Sequence, residues 1–205
     1  MAANPTCYVR FLHAIPDAPA VDLMVNGYKA TENISFLGFT PYFAAHPGAY
    51  AIIAYPAGQK AAPVFQETIE LQESMIYTFA LCGALAEPEG ELIVDTKRPE
   101  IHGMASIRYI NLSPYNTSLS VSVGGKMRTS DLVYKEVTDY DTLSSGEYTF
   151  TINDDMTQKA ALQEPKLALH AGKYYACYIV GFIDNKDSLK ALVPLEGATY
   201  LELPL

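Results

Sequence analysis

The sequence predicts an all-β protein, two immunoglobulin-like antiparallel β-sandwich domains in tandem, and three observations carry that prediction. Short runs in which apolar and polar residues alternate are separated by Gly and Pro, the pattern of half-buried strands joined by turns. The chain also repeats itself at an offset of 98 residues. Finally, 15 Tyr and many Val, Ile and Thr supply side chains that suit a pleated surface, while few segments hold a helical period for three turns.

The elements follow in order. Val9-Arg10-Phe11-Leu12 is the first strand. Val21, Leu23 and Val25 then alternate with Asp22, Met24 and Asn26, and Asn26-Gly27 closes the run as a hairpin-type turn. This alternation assigns Asp22 to the solvated face. Tyr28, Phe36, Phe39, Tyr42 and Phe43 crowd a segment without a clear period; they are assigned to the core between sheets, an exposed subset being suited to stacking on a sugar or a partner. Pro47-Gly48-Ala49-Tyr50 reads as a turn with a half-buried Tyr, leading into strands at 49–55, 64–71, 75–81 and 91–95. The second half repeats this. Ile107-Arg108-Tyr109-Ile110 is followed by Leu119, Val121 and Val123 alternating with serines up to Gly124-Gly125. The Ser145-Gly146-Glu147-Tyr148 turn precedes strands at 147–152, 166–170, 173–180 and 189–194.

Across the repeat, Pro16 matches Pro114, Gly27 matches Gly125, Tyr42 matches Tyr140, Gly48 matches Gly146, Tyr77 matches Tyr175 and Gly83 matches Gly181. Turn formers and large strand residues are the positions that define a fold, so the domains are assigned as 1–98 and 99–205. The link is placed at about 95–106, where Lys97-Arg98-Pro99-Glu100 interrupts the strand pattern and Pro99 lacks the N–H a ladder needs. A period of 98 residues suits a small sandwich and is too long for a solenoid.

A hydrophobic fraction of 49% with 18% charged residues is that of a globular protein with a proper core. Fourteen basic against 23 acidic residues leave a net charge of -9. The acidity is shared: five basic and ten acidic residues in 1–98, nine and thirteen in 99–205. Such a surface repels phosphate backbones, so no nucleic-acid partner is expected. No run approaches the roughly 20 apolar residues of a membrane-spanning helix. The start, Met1 to Thr6, is too short and polar for a signal peptide, so the chain as given is expected to carry no export signal. Cys7, Cys82 and Cys177 form no Cys-x-x-Cys pair and no zinc spacing. They are expected as buried free thiols, a Cys7–Cys82 disulfide being the alternative.

After the Arg-containing first strand, His13-Ala14-Ile15-Pro16-Asp17-Ala18-Pro19-Ala20-Val21-Asp22 and a strand ending in Asn26-Gly27 resemble the opening of the bacterial domain of unknown function 4397 family. Pro47-Gly48-Ala49-Tyr50 and Ala171-Gly172-Lys173-Tyr174-Tyr175 resemble that family's other recurring pieces. The resemblance spans nearly the whole chain as two tandem copies. The second departs most, with Asn111, Tyr115 and Ser120 where the first has His13, Asp17 and Asp22. The resemblance implies a β-sandwich, often in exported or envelope-attached bacterial proteins, with no established activity. A cell-surface or extracellular location is therefore expected, with the cytoplasm as the alternative.

His13, Asp17 and Asp22 are the one polar constellation weighed as a site, since an imidazole near two carboxylates can hold a divalent metal or serve a general base. Asp17 follows Pro16 as a turn residue, Asp22 alternates outward, and the second module lacks all three, so a structural loop is expected. No catalytic residue, metal ligand or cofactor is assigned. The chain has no Gly-x-Ser-x-Gly elbow, His-Glu-x-x-His, phosphate-cradling loop or dinucleotide fingerprint. His46, His102 and His170 lie in separate segments and, like His13, are read as surface or capping residues. Sequons at Asn33, Asn111 and Asn116 matter only in a secreted eukaryotic chain. Acidic residues at 67–73 and 87–91, with Asp139, Asp141, Asp154 and Asp155, are read as solvated faces and loops.

The expected function is a non-enzymatic structural, adhesive or surface-interaction protein with a protein or glycan partner, forming a homo-oligomer through edge strands. The alternative is a carbohydrate- or small-ligand-binding module using loop tyrosines, in a chain without Trp. A metal-dependent hydrolase at the His13 loop is the third.

Overall fold

A computed structural model describes residues 6–96, 101–115, 118–185 and 187–203. The chain divides into two compact units, Met1–Thr96 with Tyr200–Leu205, and Lys97–Thr199. The Lys97-Arg98-Pro99-Glu100 break and Asn116 of the third sequon lie outside the described residues.

In the first unit the strands are β1 (Cys7–His13), β2 (Val21–Val25), β3 (Tyr28–Ile34), β4 (Phe43–Ala45), β5 (Gly48–Pro56), β6 (Phe65–Leu71), β7 (Ile76–Ala84) and β8 (Glu87–Asp95). They form two four-stranded sheets, β4-β1-β7-β8 and β3-β2-β5-β6. The second unit holds β9 (Met104–Leu112), β10 (Leu119–Val123), β11 (Lys126–Leu132), β12 (Asp141–Ser144), β13 (Gly146–Tyr148), β14 (Phe150–Asp154), β15 (Lys159–Gln163), β16 (Leu167–Leu169), β17 (Tyr174–Val180) and β18 (Lys190–Leu192). Its sheets run β12-β9-β17-β18 and β11-β10-β14-β15, with a β13-β16 ribbon beside them.

Each core lies where the apolar faces of the two sheets meet. Val9 and Phe11 of β1 and Phe79 of β7 face Leu23 of β2, Ile52 of β5 and Ile69 of β6. In the second unit Ile107, Tyr109, Cys177 and Ile179 meet Val121 and Ile152. Asn26 (φ 49°) and Gly27 (φ 80°) make the turn that the sequence announces, as do Gly124 (φ 58°) and Gly125 (φ 78°). Two successive left-handed residues match the twist of the flanking strands.

Pairing is antiparallel except at the centre of one sheet in each unit. There β1 lies parallel to β7 with Val9 opposite Tyr77, and β9 lies parallel to β17 with Ile107 opposite Tyr175. The chain leaves β1 for the other sheet and returns to its neighbour only after several strands, which permits a direction no hairpin can make. These four strands are buried on nearly every residue. The segment after β3 crosses between the sheets over the end of β1 and helps to cover that strand. Phe39 bridges to Leu12, and Thr40 Oγ1 accepts the Phe11 N–H at 2.9 Å. Val137 and Thr138 repeat both contacts with Ile110 and Tyr109. A crossover has no single period, hence the unreadable aromatic crowding: Phe43 packs on the core, Phe39 and Tyr42 flank Arg10, and Tyr28 stands 81% exposed.

Several boundaries differ from expectation. Strands β3, β4, β11, β12 and β15 were not anticipated; all stand at sheet edges, where mostly exposed or short segments show little apolar alternation. The strand expected at 147–152 is two, β13 and β14, and β9 begins at Met104. All three cysteines are buried thiols, none of them in a disulfide. Burial raises the Cys7 thiol and pushes Cys177 to about 12.

Candidate functional site

His13 is buried rather than on the surface, at 2% exposure, because it anchors the loop that follows β1. Its Nδ1 accepts the Ile15 N–H at 3.3 Å, and Nε2 lies 3.1 Å from the Pro19 carbonyl. Both contacts are satisfied by a neutral ring with its proton on Nε2. Desolvation holds the His13 pKa below the ordinary histidine value, partly opposed by the bond to Pro19. In the second unit Asn111 does the same work. Its Oδ1 accepts the Ser113 N–H and its Nδ2 donates to the Leu132 carbonyl, both at 2.9 Å. Each residue accepts from the N–H two positions on and donates to a carbonyl, so the second module has replaced the imidazole without losing its role.

Asp22 does not face solvent as its alternation implied. The residue is 7% exposed, since Oδ1 accepts the Asn33 N–H at 2.9 Å and Oδ2 the Gly58 N–H at 3.2 Å. Those two bonds hold its carboxyl below the ordinary range. Ser120, at the equivalent place, passes the task to Asp155, to which it donates a hydrogen bond; Asp155 also accepts from Ser118 Oγ at 2.9 Å and from the Asp131 N–H at 3.2 Å. Asp131 is the counterpart of Asn33, so one backbone donor is capped in both units by carboxylates from different strands and turns. Asp155, read as a solvated acid, is thus a structural acceptor. Asp17 Oδ1 accepts the Leu85 N–H at 2.9 Å. His13, Asp17 and Asp22 therefore each bind the backbone of a different segment. Among the described residues no group of three or more His, Cys, Asp or Glu is placed to hold a metal ion.

A second polar device escaped sequence reasoning. Arg10, 4% exposed, donates from Nε to Thr78 Oγ1 at 2.9 Å, and its guanidinium lies 4.7 Å from the ring centroids of both Phe39 and Tyr42. The Tyr42 hydroxyl donates to Asp95 Oδ2 at 2.6 Å. Arg108 donates from Nε to Glu196 Oε1 at 2.7 Å and sits 5.3 Å from the Tyr140 ring, whose hydroxyl bonds the other Glu196 oxygen. A guanidinium is tolerated inside a sandwich only with such partners. With the Glu196 side chain fully covered, the cluster ties the fold and offers no access to a substrate. The repeated Arg and Tyr were visible in sequence. Asp95 and Glu196 do not share the 98-residue offset, so the repeat could not reveal them.

An open aromatic site stands at the loop end of the second unit. Tyr115, which replaces Asp17, stacks on Phe182 with ring centroids 6.0 Å apart and planes 13° from parallel. It is 70% exposed, and the pair borders a cleft of about 330 Å³ with Pro114, Ile183 and Asp184. The loop after β17 holds Phe182 in place. Its N–H donates to Ser188 Oγ at 3.1 Å, and its carbonyl accepts the Asn185 N–H at 3.1 Å. Gly181 (φ 93°) makes that turn possible, since a Cβ there would lie 2.1 Å from the Ser188 carbonyl. In the first unit the Asp17–Leu85 bond occupies the equivalent position and no ring pair forms. Phe182 was missed because its partner is distant in sequence and because its counterpart in the first module, Ala84, is not aromatic.

The family described as "Domain of unknown function (DUF4397)" matches residues 7–122 and again 106–199. No curated protein matches the sequence. Among solved structures, an α-glucan-binding streptococcal virulence factor is 10% identical with a TM-score of 0.30, covering 95% of this chain and 99% of that one. A family 26 carbohydrate-binding module from Eubacterium rectale, in complex with maltoheptaose, is 10% identical with a TM-score of 0.27, covering 93% and 95%. Family 41 carbohydrate-binding modules from streptococcal virulence factors give 14%, 0.28, 83% and 93%. At these values the similarity carries no functional argument.

Proposed function

We propose, for a chain that belongs to the domain of unknown function 4397 family, a non-enzymatic role in surface recognition, with a carbohydrate as ligand and the Tyr115–Phe182 pair as its platform. The observation that carries this reading is an exposed, stacked aromatic pair bordering a cleft of about 330 Å³ with a carboxylate at its rim. A sugar ring offers an apolar C–H face and a rim of hydroxyls. The first stacks on an aromatic surface, and the second donates to Asp184 or to a phenolic oxygen. Few convergent polar groups around an apolar floor are what a small-ligand site requires.

Edge-strand assembly has less support. The long edge β8 carries Glu87, Pro88, Glu89 and Glu91, a combination that discourages further pairing. Screening the full chain on a glycan array tests the proposal. Binding to at least one glycan class, lost in both Tyr115→Ala and Phe182→Ala, is the expected result. No binding, or binding that both variants retain, overturns it.

A further inference from the structure

The first unit has a second opening, in its side, where the edge strands β3 and β4 of the two sheets part. Ala30 of β3 and Phe43 of β4 stand at its walls, and it reaches inward to Phe11, Ile52 and Ile69 as a cleft of about 270 Å³. We infer that this cleft binds the aliphatic chain of a small uncharged molecule, independently of the carbohydrate platform in the other unit.

The chemistry of the wall selects that ligand. Of the lining side chains only those of His46 and Tyr50 carry polar atoms, and the Tyr50 hydroxyl already donates to the His46 carbonyl at 2.8 Å. A wall of this kind penalises a charged or hydroxyl-rich ligand and rewards an apolar one. The volume also exceeds the roughly 150 Å³ at which an apolar cavity takes up benzene.

The fold itself does not require the opening, because the second unit fills the same place. There Arg128 stands for Ala30, Asp141 for Phe43 and Tyr109 for Phe11. Arg128 Nε lies 3.0 Å from Asp141 Oδ2, its terminal nitrogen donates to the Thr142 carbonyl at 3.4 Å, and the Tyr109 hydroxyl donates to Asp141 at 3.4 Å. Burial, with the nearby Asp141 charge adding to it, keeps that phenol protonated. One copy of the duplicated module has closed its side with a polar bridge. The other leaves an apolar lining short of the neighbours that a packed interior supplies.

Methyl-resolved NMR of the full chain, titrated with n-butanol through n-octanol, tests the inference. Methyl signals of Ala30, Ala44, Ile52 and Ile69 are expected to shift saturably. The dissociation constant should fall about fourfold per added methylene until the chain fills the cleft, then level off. Joint replacement Ala30→Arg and Phe43→Asp, which installs the second unit's bridge, is expected to abolish the shifts. Ala30→Met, which fills the cleft with apolar bulk alone, is expected to weaken binding at least about tenfold. The inference is overturned by the absence of saturable shifts up to n-octanol, or by affinities that Ala30→Met leaves unchanged.

Discussion

Replacing Glu196 by Gln keeps the size and most hydrogen-bonding capacity of the side chain and removes only its charge. The perturbation is severe because the Glu196 side chain is fully covered and that of Arg108 is 6% exposed. Arg108 cannot give up its proton, so its charge stays in the sandwich without the carboxylate 2.5 Å away. Breaking a buried pair in this way costs about 3–5 kcal/mol. The Tyr140 face, 5.3 Å from the guanidinium, is there before and after the substitution and does not offset the loss. A loss of about 3–5 kcal/mol lowers the melting point of a unit of about 100 residues by roughly 12–40 °C. Cys177 sits in the same core and reports the unit selectively, so a urea titration read by thiol labelling at Cys177 is the assay. Arg108→Met combined with Glu196→Leu should recover most of the loss, because two apolar side chains need no partner. A cost below about 1 kcal/mol for Glu196→Gln would refute the reasoning, showing the cluster to be hydrated or dispensable.

The Tyr77 hydroxyl accepts the Gln72 N–H and the Tyr175 hydroxyl accepts the His170 N–H, both at 3.1 Å, so Tyr77→Phe and Tyr175→Phe should each destabilise their unit by about 1–3 kcal/mol in urea unfolding. Acidification from pH 7 to pH 5 should lower stability through His13: its folded pKa lies below the unfolded value of about 6.5, the unfolded chain binds more protons, and the contribution is full above that pH and lost below it. His13→Asn, the solution used by the second unit, should flatten this slope in denaturation curves; an unchanged slope would assign it to other groups. Asp22, its pKa also lowered, contributes in the same direction at lower pH, its share being lost as pH falls through the folded value. All three thiols should resist Ellman's reagent in the native protein at pH 8 and react on unfolding, since burial holds Cys7 high and Cys177 at about 12.

What was legible in the sequence is what local chemistry dictates. Asn26-Gly27 and Gly124-Gly125 mark hairpins because few other pairs adopt two left-handed conformations in succession, and Val21-Leu23-Val25 alternates because one face of β2 is buried. Long-range relations were not legible. Strand direction leaves no trace in alternation, so the parallel β1–β7 pair was invisible. Asp22 was assigned outward because periodicity cannot register two backbone donors arriving from Asn33 and Gly58. The same blindness hid Glu196 from Arg108 and Phe182 from Tyr115. The duplication supplies a corrective that one module could not. Where Asn111 replaces His13, and where Asp155 does for the Asp131 N–H what Asp22 does for that of Asn33, the altered residues keep one bond of the same kind and are structural. Where Tyr115 replaces Asp17, the bond is gone and an exposed ring pair stands in its place.

Surface recognition at that ring pair is tested most directly by calorimetric titration of an oligosaccharide with the full chain and two tyrosine variants. Tyr115 and Tyr28 are both highly exposed, at 70% and 81%, but only Tyr115 stacks on a second ring beside a cleft. Tyr115→Ala is predicted to weaken binding by about tenfold or more while Tyr28→Ala leaves it unchanged. Equal affinities for both variants and the unaltered chain, or a loss confined to Tyr28→Ala, would contradict the account.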